Sequence, residues 1–132
     1  MNIFKKNTIL IVEDEVSLRN ALCDKFKREG FNVFEAKDGE VGLVVARKEK
    51  PDIILLDIVM PKMDGMSMLK KLRADGPWSK SVPVMLLTNL GADDKEMAKD
   101  IVEDELTSYL VKSNWAINDV VKKVKERRQN KA

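Results

Sequence analysis

Short unbroken apolar runs alternate along this chain with longer stretches in which apolar residues recur every three or four positions. The unbroken runs are Thr8-Ile9-Leu10-Ile11-Val12, Ile53-Ile54-Leu55-Leu56 and Val82 to Leu87. Between breakers such as Pro51, Pro61 and Gly65, such runs predict strands buried on both faces, as in the middle of a parallel sheet. Phe31 to Ala36 alternates apolar and polar positions and predicts a strand with one wetter face. Leu106 to Val111 predicts a fifth strand. The helical periodicity lies between these runs. Val16, Leu18, Ala21, Leu22 and Phe26 mark a first helix, with Lys25, Lys27 and Arg28 near its end and Gly30 as its cap. Val41 to Ala46 mark a second, after a turn at Asp38-Gly39. Met66, Met68, Leu69 and Leu72 mark a third, stopped by Asp75-Gly76-Pro77. Met97, Ala98, Ile101 and Val102 stripe a charged helix from Ala92 to Asp104. Trp115, Ile117, Val120, Val121 and Val124 form the inner face of a last helix with a basic outer face.

The order is strand then helix, five times over. Such alternation implies parallel βαβ units with right-handed crossovers. Five strands suit a doubly wound sheet with helices on both faces better than a closed barrel. A chain of 132 residues suits a single domain, with a structured core of about residues 7–128 and no output domain. Lys+Arg 24 against Asp+Glu 22 leaves net +2, which offers no field to favour nucleic acid or a membrane surface. No apolar stretch approaches a membrane span, and no signal-peptide pattern opens the chain. Cys23 is the single cysteine, so no internal disulfide forms, which suits a cytoplasmic setting. Histidine is absent, which excludes a Ser-His-Asp triad, a His-ligated metal and a phosphohistidine carried by this chain. Its chemistry must run on carboxylates, hydroxyls and lysines.

In a parallel sheet the carboxyl ends of all strands lie on one edge, where ligands bind in open α/β folds. The first strand ends at Glu13 and Asp14, the third at Asp57, the fourth at Thr88 and the fifth at Lys112. Taken singly, each has an ordinary reading: a solvated helix start, a turn residue, a loop lysine. Together they bring three carboxylates, a hydroxyl and an ammonium to one edge. Clustered acids repel one another unless a cation sits among them. Oxygen ligands without histidine or thiolate select Mg²⁺ or a similar hard ion. A carboxylate attacking phosphorus needs such a metal, a lysine opposite and a hydroxyl donor. Asp57 is then the nucleophile, Asp14 binds the metal directly and Glu13 does so through water. Lys112 and Thr88 hold the phosphoryl oxygens. The basic last helix reads as a solvated face, and no direct nucleic-acid binding is expected of it.

The motifs Ile9-Leu10-Ile11-Val12-Glu13-Asp14-Glu15, Ile53 to Asp57 with Ile58-Val59-Met60-Pro61-Lys62-Met63-Asp64-Gly65, Leu86-Leu87-Thr88, and Tyr109-Leu110-Val111-Lys112 resemble a response-regulator receiver domain of the single-domain, chemotaxis-regulator kind. The resemblance covers essentially the whole chain. It implies a flavodoxin-like sheet of order 2-1-3-4-5. It also implies a phosphoacceptor in two-component signal transduction or phosphorelay, with transfer to Asp57 from a histidine kinase or histidine phosphotransfer protein. Mg²⁺ is required, with Glu13, Asp14, Asp57 and Val59 as its site. Thr88 and Tyr109 are implied as the switch pair, changing the face formed by the helix after strand four, strand five and the last helix. Acids such as Asp93 and Asp100 lie on one helix of that surface and bases such as Lys122 and Arg127 on the other, so in a two-fold dimer the acidic helix of one copy could meet the basic helix of its mate, and a weak, salt-sensitive, phosphorylation-dependent homodimer is one expectation. A downstream partner protein is the other.

Three other readings compete. An aspartate-nucleophile phosphatase wants a second acid two residues after the nucleophile, where this chain has Val59. A flavodoxin-type FMN protein needs a phosphate-cradling first loop, and Glu13-Asp14-Glu15 would repel a phosphate. A degenerate receiver would act only as a phosphorylation-independent interaction module, against which the full acidic set and Lys112 argue. Ser113 stands where the family usually has proline, and a cis bond before serine costs about 3–4 kcal/mol, so a trans bond is expected. Asn89 stands where a small residue is usual. Val59 and Leu90 follow Asp57 and Thr88 by two positions, and neither apolar side chain can orient an attacking water. Slow autodephosphorylation follows. Val59→Asn and Leu90→Glu should each speed the decay of phosphorylated protein, followed by intact mass over time; unchanged decay in both would refute this.

Overall fold

The computed structural model describes residues 7–58, 60, 62–88, 107–111 and 117–129, with the backbone alone for residues 88, 107–111 and 127–129. Its strands are β1 (Thr8–Val12), β2 (Asn32–Ala36), β3 (Ile53–Asp57), β4 (Val84–Thr88) and β5 (Thr107–Val111). Its helices are α1 (Val16–Arg28), α2 (Gly39–Glu49), α3 (Gly65–Arg73), α4 (Pro77–Ser81) and α5 (Ile117–Gln129). The strands form one sheet of order β2-β1-β3-β4-β5. Every pairing is parallel. The expected order and parallel sense therefore hold. The helix expected over Ala92 to Asp104 lies outside the described residues, as does the Lys112–Ser113 bond.

The alternation of side chains along each strand builds two cores. Leu10, Val12, Ile54, Leu56, Val84 and Leu86 point to one face and pack with Leu43 and Ala46 of α2 and Met68 and Leu72 of α3. Ile9, Ile11, Ile53, Leu55, Met85 and Leu87 point to the other and pack with Leu22, Cys23 and Phe26 of α1 and Val120, Val121 and Val124 of α5. β1 and β3 sit inside the sheet, so both their faces are covered and their sequence is continuously apolar. β2 is an edge strand, and its alternating sequence matches a partly exposed face.

Local chemistry sets the ends of the helices. α1 stops at Glu29, and Gly30 follows with φ +91°, the left-handed position that glycine fills at a helix C-terminus. The Phe31 amide then bonds back to the Phe26 carbonyl (3.0 Å), so β2 starts at Asn32, one residue later than the pattern predicts. Asp38 and Asp64 cap α2 and α3 through side-chain acceptance from Val41 N (2.9 Å) and Ser67 N (2.8 Å). Asp75-Gly76-Pro77 ends α3, as expected, but the chain restarts there as α4 with Pro77 in its first turn. The Val82 amide closes α4 on the Trp78 carbonyl (3.0 Å), and Pro83 has no amide to give a ladder. β4 consequently begins at Val84 rather than Val82. Lys122 and Lys123 of α5 are exposed, whereas Lys125 meets Glu29 at the end of α1 (2.6 Å) and holds that carboxyl below its usual range.

Cys23 lies 2% exposed in the α1–α5 core. Burial, and then the neighbouring Glu35 carboxylate, push its thiol from 9.0 up to about 12. The raised value means that the thiol favours the fold below about pH 9 and loses that contribution as pH rises toward 12. Native protein at neutral pH should resist alkylation with iodoacetamide and react fully once unfolded. Rapid labelling of the folded protein would contradict this placement.

Candidate functional site

The site forms where β1 and β3 end. Their pairing runs from Ile9 opposite Ile53 to Val12 opposite Leu56. The next residue on each strand is acidic, Glu13 and Asp57, so in-register pairing brings these two carboxylates side by side. Asp14 follows on the β1 side. One carboxylate oxygen from each of Glu13, Asp14 and Asp57 lies within 4.8 Å of the other two. Glu13 and Asp57 are 1% and 3% exposed, whereas Asp14 is open to solvent. Two buried acids and one exposed acid at this spacing form a cluster of hard oxygen donors. The donor set fits Mg²⁺, which takes one or two carboxylates and completes its shell with water and phosphate oxygens.

Backbone bonds fix both sides of the pocket. The Glu13 amide donates to the Ala36 carbonyl at the end of β2 (3.0 Å). The Ile58 amide donates to the Leu87 carbonyl of β4 (3.0 Å), carrying the sheet one residue past Asp57. The Gly65 amide then returns to the Ile58 carbonyl (2.8 Å) and closes the loop that starts at the nucleophile candidate. A Cβ on Gly65 would collide with the Asp57 carbonyl and crowd the Ile58 Cα. A Cβ on Gly39 would collide with the Met63 carbonyl of the same loop. The loop is thus pressed against β3 on one side and the start of α2 on the other, at two points where only glycine leaves room.

Thr88 is the last residue of β4, and it pairs with Val111 of β5; Asp57 pairs with Leu87 one step earlier. The backbone therefore carries Thr88 to the same edge as the acids. Tyr109 pairs with Leu86, in the middle of β5. Lys112 follows Val111 and, like Val59, lies outside the described residues. Two further site residues had no role in the sequence reading. Gly65 marks only a loop boundary in the sequence, but its close approach to Asp57 requires glycine. Arg19 donates from Nη1 to the Glu13 carbonyl (2.9 Å) and pairs through Nε with Glu35 of β2 (3.5 Å). Its sequence signal was a cation near the start of α1, where the helix dipole disfavours positive charge.

This architecture and acidic edge are those of a signalling receiver. The chain belongs to the response regulator receiver domain family, whose family model matches residues 9–125. It is 37% identical over 99 residues to the probable transcriptional regulatory protein TcrX of Mycobacterium tuberculosis, covering 75% of this chain and 37% of that protein. It is 41% identical over 91 residues to the alkaline phosphatase synthesis transcriptional regulatory protein PhoP of Bacillus subtilis, covering 69% of this chain and 35% of that one. The chain thus spans about a third of the length of these curated relatives. Among solved structures it resembles the chemotaxis response regulator CheY4 of Vibrio cholerae, with TM-score 0.80 and 26% identity over 93% of this chain and 99% of that one. Among the described residues no helix is long and apolar enough to cross a membrane.

The packing of Gly65 on Asp57 has a measurable consequence. Gly65→Ala forces backbone apart in a closed loop, and overpacking of this kind costs about 1–3 kcal/mol. The urea midpoint should fall by the corresponding amount with an unchanged slope. An unaltered midpoint would mean that the loop moves freely away from β3.

Proposed function

We propose that this domain is the phosphoacceptor of a two-component pathway and that Asp57 receives the phosphoryl group. The observation that carries the reading is the meeting of three carboxylates from β1 and β3 within 4.8 Å, beside the end of β4. Glu13, Asp14, Asp57 and the main chain at Val59 would hold Mg²⁺. The bound ion would supply positive charge to the phosphoryl oxygens and offset the mutual repulsion of the acids. Asp57 Oδ attacks phosphorus in line with the leaving group. A P–O bond forms to Asp57 as the P–N bond to a partner's phosphohistidine breaks, and the imidazole leaves with its electron pair and takes up a proton. Asp57 is only 3% exposed, so little of its surface meets solvent. Lys112 and the Thr88 hydroxyl take the phosphoryl oxygens left after transfer.

The donor is a histidine kinase or histidine phosphotransfer protein, because this chain carries no histidine of its own. The domain acts on no other substrate and catalyses only its own phosphorylation and dephosphorylation. Thr88 moving toward the phosphoryl group and Tyr109 turning inward would pass the state to the β4–β5 side of the sheet. The names of TcrX and PhoP as transcriptional regulatory proteins support an output in gene control. Acetyl phosphate with Mg²⁺ should add one phosphoryl mass to the intact protein, and a chelator should prevent it. Asp57→Asn should abolish the added mass. Persistent labelling of Asp57→Asn would move the acceptor elsewhere, and an unlabelled wild-type protein would favour an interaction module that works without phosphate.

A further inference from the structure

Arg19 has an unusual position for a cation. It lies four residues after Glu15, the N-cap of α1, and α1 has no side-chain cap at its start. The positive end of the helix dipole opposes charge of this sign there. Its side chain is only 14% exposed, so it is also largely removed from water. Both features cost stability unless specific partners offset them. The partners are the Glu13 carbonyl at 2.9 Å and the Glu35 carboxylate at 3.5 Å. Arg19 therefore joins the first turns of α1, the end of β1 and the end of β2 through one planar fork.

The Glu13 carbonyl belongs to the peptide that links Glu13 to Asp14. The strand ladder holds the near side of Glu13, through its amide bond to Ala36. The far side of Glu13 faces Asp14, past the end of β1 at Val12. The orientation of the Glu13–Asp14 peptide plane sets the direction in which the Asp14 side chain leaves the backbone. Arg19 donates to the carbonyl of that peptide. We infer that Arg19 is a positioning residue, which holds the Glu13–Asp14 peptide so that both acids converge with Asp57 on the Mg²⁺ position. This rests on the proposed Mg²⁺ site. Outer partners of this kind are needed wherever ligand direction, rather than ligand identity, limits metal affinity.

Charge and positioning make opposite demands here. Removing a cation beside three carboxylates should tighten binding of a divalent ion if charge alone matters. Losing the peptide clamp should weaken it. Arg19→Met keeps the apolar stem and removes every donor, and Arg19→Lys keeps the charge but cannot bridge carbonyl and carboxylate together. Calorimetric titration with MgCl₂, on unphosphorylated protein without any phosphodonor, reads the effect directly. Arg19→Met should bind Mg²⁺ roughly ten- to a hundredfold more weakly than wild type, with Arg19→Lys between the two. The rise in thermal midpoint on adding Mg²⁺ should shrink in the same order. Folded Arg19→Met that binds Mg²⁺ as well as wild type, or more tightly, overturns the inference while leaving the metal site standing. If Arg19→Met does not fold, Arg19→Lys decides by the same criterion. Wild-type protein that binds no Mg²⁺ overturns the metal reading and this inference together.

Discussion

The in-register pairing of β1 with β3, Val12 opposite Leu56, is the constraint on which the site depends. Parallel pairing requires two strands to run in the same direction, so whatever follows Val12 and Leu56 must emerge at the same edge. The pairing itself is anchored by burial. Ile9, Leu10 and Ile11 of β1 and Ile53 to Leu56 of β3 are fully buried, alternating between the two cores. A slip of one residue would exchange the two faces of a strand and separate Glu13 from Asp57. Hydrophobic packing beneath the sheet edge thus holds two acids together that would repel each other in solution.

That repulsion explains much of the surrounding structure. Glu13 and Asp57 are held where water cannot screen them fully, so the backbone around them has to be rigid. The Glu13 amide is tied to β2, the Ile58 amide to β4, and the loop after Asp57 is returned to Ile58 by Gly65. Glycine at 39 and 65 lets the loop press against both α2 and β3. Arg19 adds a charged bond to the Glu13 carbonyl, just past the end of β1. The acids thus meet within 4.8 Å of one another on a framework of backbone bonds.

The same sheet order links the site to β5. β4 lies between β3 and β5, so Thr88 stands at the acidic edge while its strand also pairs with the strand that carries Tyr109. The opposite side of the molecule is tied differently. Lys125 of α5 meets Glu29 at the end of α1, and Arg47 of α2 meets Asp75 after α3 through two bonds of 2.6 and 3.1 Å. These exposed pairs are individually weak and serve to register neighbouring helices rather than to hold the fold.

The apolar pattern by itself determined the strand order of appearance, the βα alternation and the acids at the strand ends. Thr8–Val12 matches β1 to the residue because a strand buried on both faces leaves an unbroken apolar run. Boundaries decided by hydrogen bonds rather than by hydrophobicity were displaced. Phe31 bonds back to the end of α1, and Val82 closes α4, although both read as strand. Asp14, Glu13 and Asp57 were legible as a group because topology alone sends them to one edge. Arg19 and Gly65 were not, because their roles depend on atomic contacts that periodicity does not report: a guanidinium 2.9 Å from one carbonyl, and a missing Cβ against another. Periodicity reports which side of an element is buried; only the packed structure decides which atoms on that side meet.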